Sequence, residues 1–188
     1  MLAIPARGQA QVTEEPKAAI FPDPKKFARG LYTEGEVGAV TFFGPLQGKV
    51  GPGFAIGARF GYDFTRWLAL QLHALGSTHQ TIFTGMPQAN QLLQLYQGTG
   101  ELKATVRFGQ LALFAEGGAG AARLSSNLLA TTGLARYRTG FTAGGGLGLD
   151  YHSLSRHFSV GLRGAYFWLK HISGSMDLIV TAYLRYTF

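Results

Sequence analysis

In eight separate runs between Leu31 and Phe188, apolar residues return at every second position. A strand turns successive side chains to opposite faces, so a period of two gives each run one apolar face and one mixed face. The run that ends the chain shows the pattern. Phe188, Tyr186, Leu184, Ala182, Val180, Leu178 and Met176 share one face, while Thr187, Arg185, Tyr183, Thr181, Ile179 and Asp177 share the other. The runs fall at about 31–43, 53–63, 67–76, 99–108, 111–122, 136–151, 158–168 and 176–188. Short turns at Asp63–Arg66, Gly109-Gln110 and His152–His157 alternate with longer connections. The longest connection, 77–98, carries an apolar patch, Leu92, Leu93 and Leu95, expected to form a short amphipathic helix or a loop lying on a membrane leaflet.

Alternation alone does not say which face points out, because a soluble lipocalin-type barrel has the same period with an apolar interior. Two features decide. The polar face is rich in glycine (Gly57, Gly61, Gly118, Gly140, Gly144, Gly146, Gly148), which weakens strands but leaves room for long side chains inside a narrow barrel. The apolar face carries aromatics near strand ends, Phe43, Phe54, Tyr62, Phe108, Tyr151, Phe158, Trp168 and Phe188, as the two interfacial girdles of a membrane barrel require. No stretch approaches the length of a transmembrane helix, whereas each run is long enough to cross a bilayer when tilted. The expected fold is all-β, an eight-stranded antiparallel up-and-down transmembrane β-barrel over 31–188, with both termini on the short-turn side.

On this register the inward positions include Glu34, Glu36, Glu101 and Glu116, with Arg59, Lys103, Arg107, Arg138, Arg163 and Arg185 to meet them. Eight strands enclose an interior just wide enough for side chains, and charges removed from water must be paired. The expectation is a continuous ion-pair network that closes the lumen. Many of the charges behind the formal +7 are accordingly assigned to the interior. No basic run with interleaved aromatics points to nucleic acid.

The resemblance that follows is to the small eight-stranded outer-membrane proteins, the OmpA-type transmembrane domain and its OmpX and OmpW relatives. Phe60-Gly61-Tyr62-Asp63 followed by Trp67-Leu68-Ala69-Leu70 resembles their second hairpin, and Ala182-Tyr183-Leu184-Arg185-Tyr186-Thr187-Phe188 resembles their ending. It implies the outer membrane of a Gram-negative bacterium, periplasmic termini and surroundings of outer-membrane lipid and lipopolysaccharide. It also implies that Leu184, Tyr186 and Phe188 act as an assembly signal read by the barrel assembly machinery. Residues 1–10, ending in Gly8-Gln9-Ala10, are read as a signal-peptide remnant or a disordered terminus, and 11–30 as a proline-rich periplasmic segment. Glu34-Gly35-Glu36-Val37-Gly38 also resembles small barrels of envelope-spanning gliding-motility complexes, which implies a scaffold among envelope protein partners.

The reading preferred on these grounds is a non-enzymatic structural or scaffolding barrel. Two others stay open. Some eight-stranded barrels modify lipid A, and His171-Ile172-Ser173 resembles the His-x-Ser of the deacylase, with Asp177 as an orienting acid. The following Gly174-Ser175 departs from that motif, and no matching downstream Glu exists. An adhesin or ligand-binding barrel would act through its loops. The other histidines, His73, His79, His152 and His157, show no metal-ligand spacing, and the chain has no cysteine, so neither metal nor cofactor is expected.

Overall fold

The computed structural model describes residues 30–81, 92–124, 139–152, 157–170, 172 and 174–188. The eight strands are β1 (Leu31–Phe43), β2 (Gly53–Asp63), β3 (Leu68–Gln80), β4 (Leu92–Phe108), β5 (Leu111–Leu124), β6 (Thr139–His152), β7 (Phe158–Leu169) and β8 (Ser175–Thr187). Each pairs antiparallel with its sequence neighbour, and β1 pairs with β8 to close the barrel. Closure joins Tyr32 to Thr187 and Phe43 to Met176, so every strand edge is paired. The expected segments over 1–29, together with Arg138, His171 and Ser173, lie outside the described residues.

The register places the apolar set outward along every strand. Phe54, Leu72, Leu102, Val106, Leu147, Leu162, Val180 and Leu184 are more than half exposed. Aromatics gather at the two ends of this wall. Tyr62, Phe108, Tyr151, Phe158 and Phe188 lie toward the short turns, and Phe43, Phe54 and Trp168 toward the longer connections. At the short-turn end the rings touch one another, with Tyr186 5.0 Å from both Phe158 and Phe188.

One expectation is overturned. Leu92, Leu93 and Leu95 form neither a helix nor a surface loop but open β4, which begins seven residues before its expected start at 99. β3 likewise runs to Gln80, pairing with Leu92. The alternation there is masked in sequence by Gln91, Gln94 and Gln97, but Leu93 and Leu95 face inward with no exposed area to speak of. The period of two continues through this stretch, and burial of the two leucines repays it.

The inward leucines belong to an apolar cap. Phe42, Leu46, Val50, Leu93, Leu95, Ala122, Leu124, Leu169 and Ile172 form one buried cluster at the long-connection end. Leu46 comes from a 3-10 turn, Gly44–Leu46, folded in over the strand ends; Val50 is tied down by a bridge to Thr81. Below it a second apolar cluster, Val40, Ala55, Leu75, Ala165, Phe167 and Ile179, crosses the lumen. The charged tier fills the remainder, toward the short turns.

Candidate functional site: the charged lumen

Arg163 of β7 sits at the centre of the charged tier. Its Nη2 donates to Glu34 at 2.9 Å and its Nη1 to Glu36 at 3.0 Å. Its Nε lies 2.8 Å from Glu116 Oε1 at an angle too oblique for a hydrogen bond, so that contact is Coulombic. Arg59 of β2 donates to Glu36, contacts Glu101 at 3.3 Å and lies 3.6 Å from Glu116. Lys103 of β4 reaches Asp150 at 3.2 Å and Glu34 at 3.7 Å. Arg185 of β8 pairs with Asp63 and lies 3.9 Å from Glu34. These groups are all at most 7 % exposed.

Neutral side chains complete the network. Gln71 donates to Glu101 at 2.7 Å and Glu116 at 3.0 Å, and accepts from Tyr32 at 2.8 Å. Both ring nitrogens of His73 face carboxylates, Nε2 at 2.7 Å from Glu36 and Nδ1 at 3.1 Å from Glu101. Tyr183 donates to Asp150. The cations also lie on aromatic faces: Lys103 Nζ is 3.8 Å from the Phe114 centroid, Arg163 4.4 Å from that of Tyr183, and Arg185 3.6 Å from that of Tyr32. Such stacking is strongest where water is excluded.

Of the residues expected inside, the structure brings together Glu34, Glu36, Arg59, Glu101, Lys103, Glu116, Arg163 and Arg185. Arg107 keeps the inward register, opposite buried Ala112, but lies exposed at the short-turn mouth of the lumen, where its charge interacts with Asp63 and Asp150. The ion-pair set expected from the sequence does not include Asp63, Asp150, Gln71, Tyr32, Tyr183 or Phe114, nor His73, a histidine whose strand position suits the lumen. The signal was present: Asp63 follows Arg59 and Gly61 on the inward set, and Asp150 falls between outward Leu149 and Tyr151.

The balance of charge in the lumen is negative. The lumen holds seven carboxylates, counting Asp177, against four permanent cations, Arg59, Lys103, Arg163 and Arg185. The excess of basic residues lies elsewhere.

Inward glycines make the packing possible. At Gly57 a Cβ would overlap Glu36 Oε1, and at Gly118 it would press on Glu101 and the Gly100 carbonyl. Others make room for rings: Gly61 lies under Tyr32, and Gly148 under Phe114.

Asp177 was expected to stand behind His171 as an orienting acid. It is fully buried, accepts a hydrogen bond from Gln97 across the lumen, and belongs to the interior of the barrel. Leu184 and Phe188 are more than half exposed on the outer wall, with Tyr186 between them.

Residues 16–186 match the family model described as "Outer membrane protein beta-barrel domain". No curated protein matches the chain. Among solved structures, Neisserial surface protein A aligns with a TM-score of 0.61 at 13% identity, covering 85% of this chain and 97% of that one. The outer membrane enzyme PagL aligns with a TM-score of 0.52 at 15% identity, covering 84% and 99%. The Yersinia pestis outer membrane protein Ail, in a phospholipid bilayer nanodisc, gives 0.51 at 13% identity, covering 85% and 99%. At these identities the likeness is one of fold.

Proposed function

We propose that this chain, which belongs to the outer membrane protein β-barrel domain family, is a non-enzymatic structural barrel that acts as a scaffold in the cell envelope. It resides in the outer membrane of a Gram-negative bacterium. In the proposed orientation the termini and short turns face the periplasm and the longer connections face outward. Surrounding lipid and lipopolysaccharide, the barrel assembly machinery and other envelope proteins are its expected partners.

The observation that carries this reading is the filled lumen. An apolar cap, an apolar band and a charged tier succeed one another along the axis, and each is built from buried side chains. Among the described residues, such a filled interior leaves no open path for a solute along the axis. What remains to act is the outer wall and the rims, which are surfaces for association. Against the lipid A deacylase reading stands the burial of its candidate acid: Asp177 is fully buried and accepts a hydrogen bond from Gln97, while His171 and Ser173 lie outside the described residues.

Isolation of the full chain from solubilised outer membrane, with analysis of lipid A from the same cells, tests the proposal. The expected result is recovery with envelope proteins at fixed stoichiometry and lipid A of unchanged acylation. A change in acylation that His171→Ala and Ser173→Ala both abolish would overturn it.

A further inference from the structure

Charge is sorted across the barrel wall. All seven carboxylate side chains among the described residues, Glu34, Glu36, Asp63, Glu101, Glu116, Asp150 and Asp177, are buried inside. The exposed Asp, Glu, Lys and Arg side chains of the same residues are all cationic: Lys49, Arg66, Arg123 and Lys170 at the rims, and Arg107 at the mouth of the lumen. A rim that keeps cations and no carboxylate faces anionic headgroups, which attract basic side chains at the membrane surface.

Two of these cations are placed as a pair. Arg123, at the long-connection end of β5, is exposed on the outer face opposite Thr139 of β6. Lys170 follows β7 directly, is exposed, and its backbone nitrogen donates to the Phe141 carbonyl at 3.2 Å. The two therefore flank β6, offset by two residues. Strand spacing and rise put their backbones about 12 Å apart, a spacing of the order of that between groups at the two ends of a disaccharide. Outward aromatics mark the depth: Tyr96 is the register partner of Arg123, Phe141 lies between the cations, and Trp168 lies two residues before Lys170. Tyrosine and tryptophan concentrate at headgroup level in membrane proteins.

We infer that Arg123 and Lys170 form a two-pronged site on the outer wall for a bisphosphorylated glycolipid of the outer leaflet. Each cation takes one phosphate, and Phe141 and Trp168 lie against the first segment of the acyl chains. Arg123 presents a planar fork to phosphate oxygens, while Lys170 acts as a point charge on a flexible stem. A phospholipid with one phosphate satisfies only one prong, so the pair selects for the doubly charged headgroup. The assignment to the outer leaflet rests on the orientation proposed above; the pairing of the two cations does not.

The full chain carrying Trp67→Phe, folded in detergent micelles, leaves Trp168 as its one tryptophan and reports binding by its emission. Titration with bisphosphorylated lipid A, monophosphorylated lipid A and phosphatidylglycerol is expected to saturate at roughly tenfold lower concentration for the first. Arg123→Gln and Lys170→Gln should each bring bisphosphorylated lipid A to the level of the monophosphorylated form, while Arg66→Gln at the opposite end leaves it unchanged. Equal affinity for the three lipids, or indifference to Arg123→Gln and Lys170→Gln, overturns the inference. Lipid added to micelles reads the site in either orientation. Labelling of Lys49→Cys in whole cells with an impermeant thiol reagent tests orientation separately: labelling supports the outer-leaflet assignment, and protection overturns it.

Discussion

Arg163 contacts three carboxylates on two strands, Glu34 and Glu36 of β1 and Glu116 of β5, and no water-exposed surface remains on it. A buried pair of this kind adds little when intact but is costly to break, because the surviving charge is left without a partner in a low dielectric. Glu101 is the acid whose loss reads this most directly. It contacts Arg59, accepts from Gln71 and Thr99, and faces His73. Glu101→Ala is expected to destabilise the folded barrel by on the order of 3–5 kcal/mol, measured as the shift in urea unfolding in micelles. Glu101→Gln keeps hydrogen bonds to its neutral partners and should cost less. Equal stability of the wild type and Glu101→Ala would mean that water enters this tier.

At the scale of the element, β4 carries the clearest contrast between faces. Leu92 is 61 % exposed to the outside and Leu93 is 0 % exposed, packed in the cap. Leu93→Ala opens a cavity and is expected to cost about 2–5 kcal/mol. Leu92→Ala replaces a contact that lipid can fill and should cost a small fraction of that. Similar losses for the two, in the same urea titration, would place β4 out of register. The alternation made most of the strands legible, with β1 and β2 read to their observed ends. It failed at the opening of β4, where the apolar patch Leu92, Leu93 and Leu95 among glutamines suggested a short helix or a loop, and the inward leucines make sense only with the cap they complete. β8 has a further role in the proposed assembly. Its outward Leu184 and the Phe188 that follows it are exposed, and half-buried Tyr186 packs on Phe188 at 5.0 Å. Phe188→Ala is expected to lower the amount inserted in the outer membrane severalfold. Cell fractionation with heat-modifiable migration checks this, and unchanged insertion would remove the assembly role.

For the molecule as a whole, the charge sorting and the sealed axis belong together. Among the described residues, acids inside hold a smaller number of cations, and the other cations stay at the rims and the lumen mouth. The inward set was legible because period two assigns faces without knowledge of partners. The pairing was not: Arg163 meets Glu36 across 127 residues of sequence and on a strand that is not its neighbour, a contact fixed by barrel stagger rather than by any local pattern. The cap was hidden for the same reason, since Leu46 and Ile172 come from connections that fold inward onto strand ends. The charged tier, the apolar band and the cap together close the interior along its axis. Planar-bilayer recording of the purified full chain tests this closure most directly. A closed interior gives a baseline without stable open levels across the voltages at which the bilayer survives; steady conductance steps of porin size in the wild-type protein would show an open one.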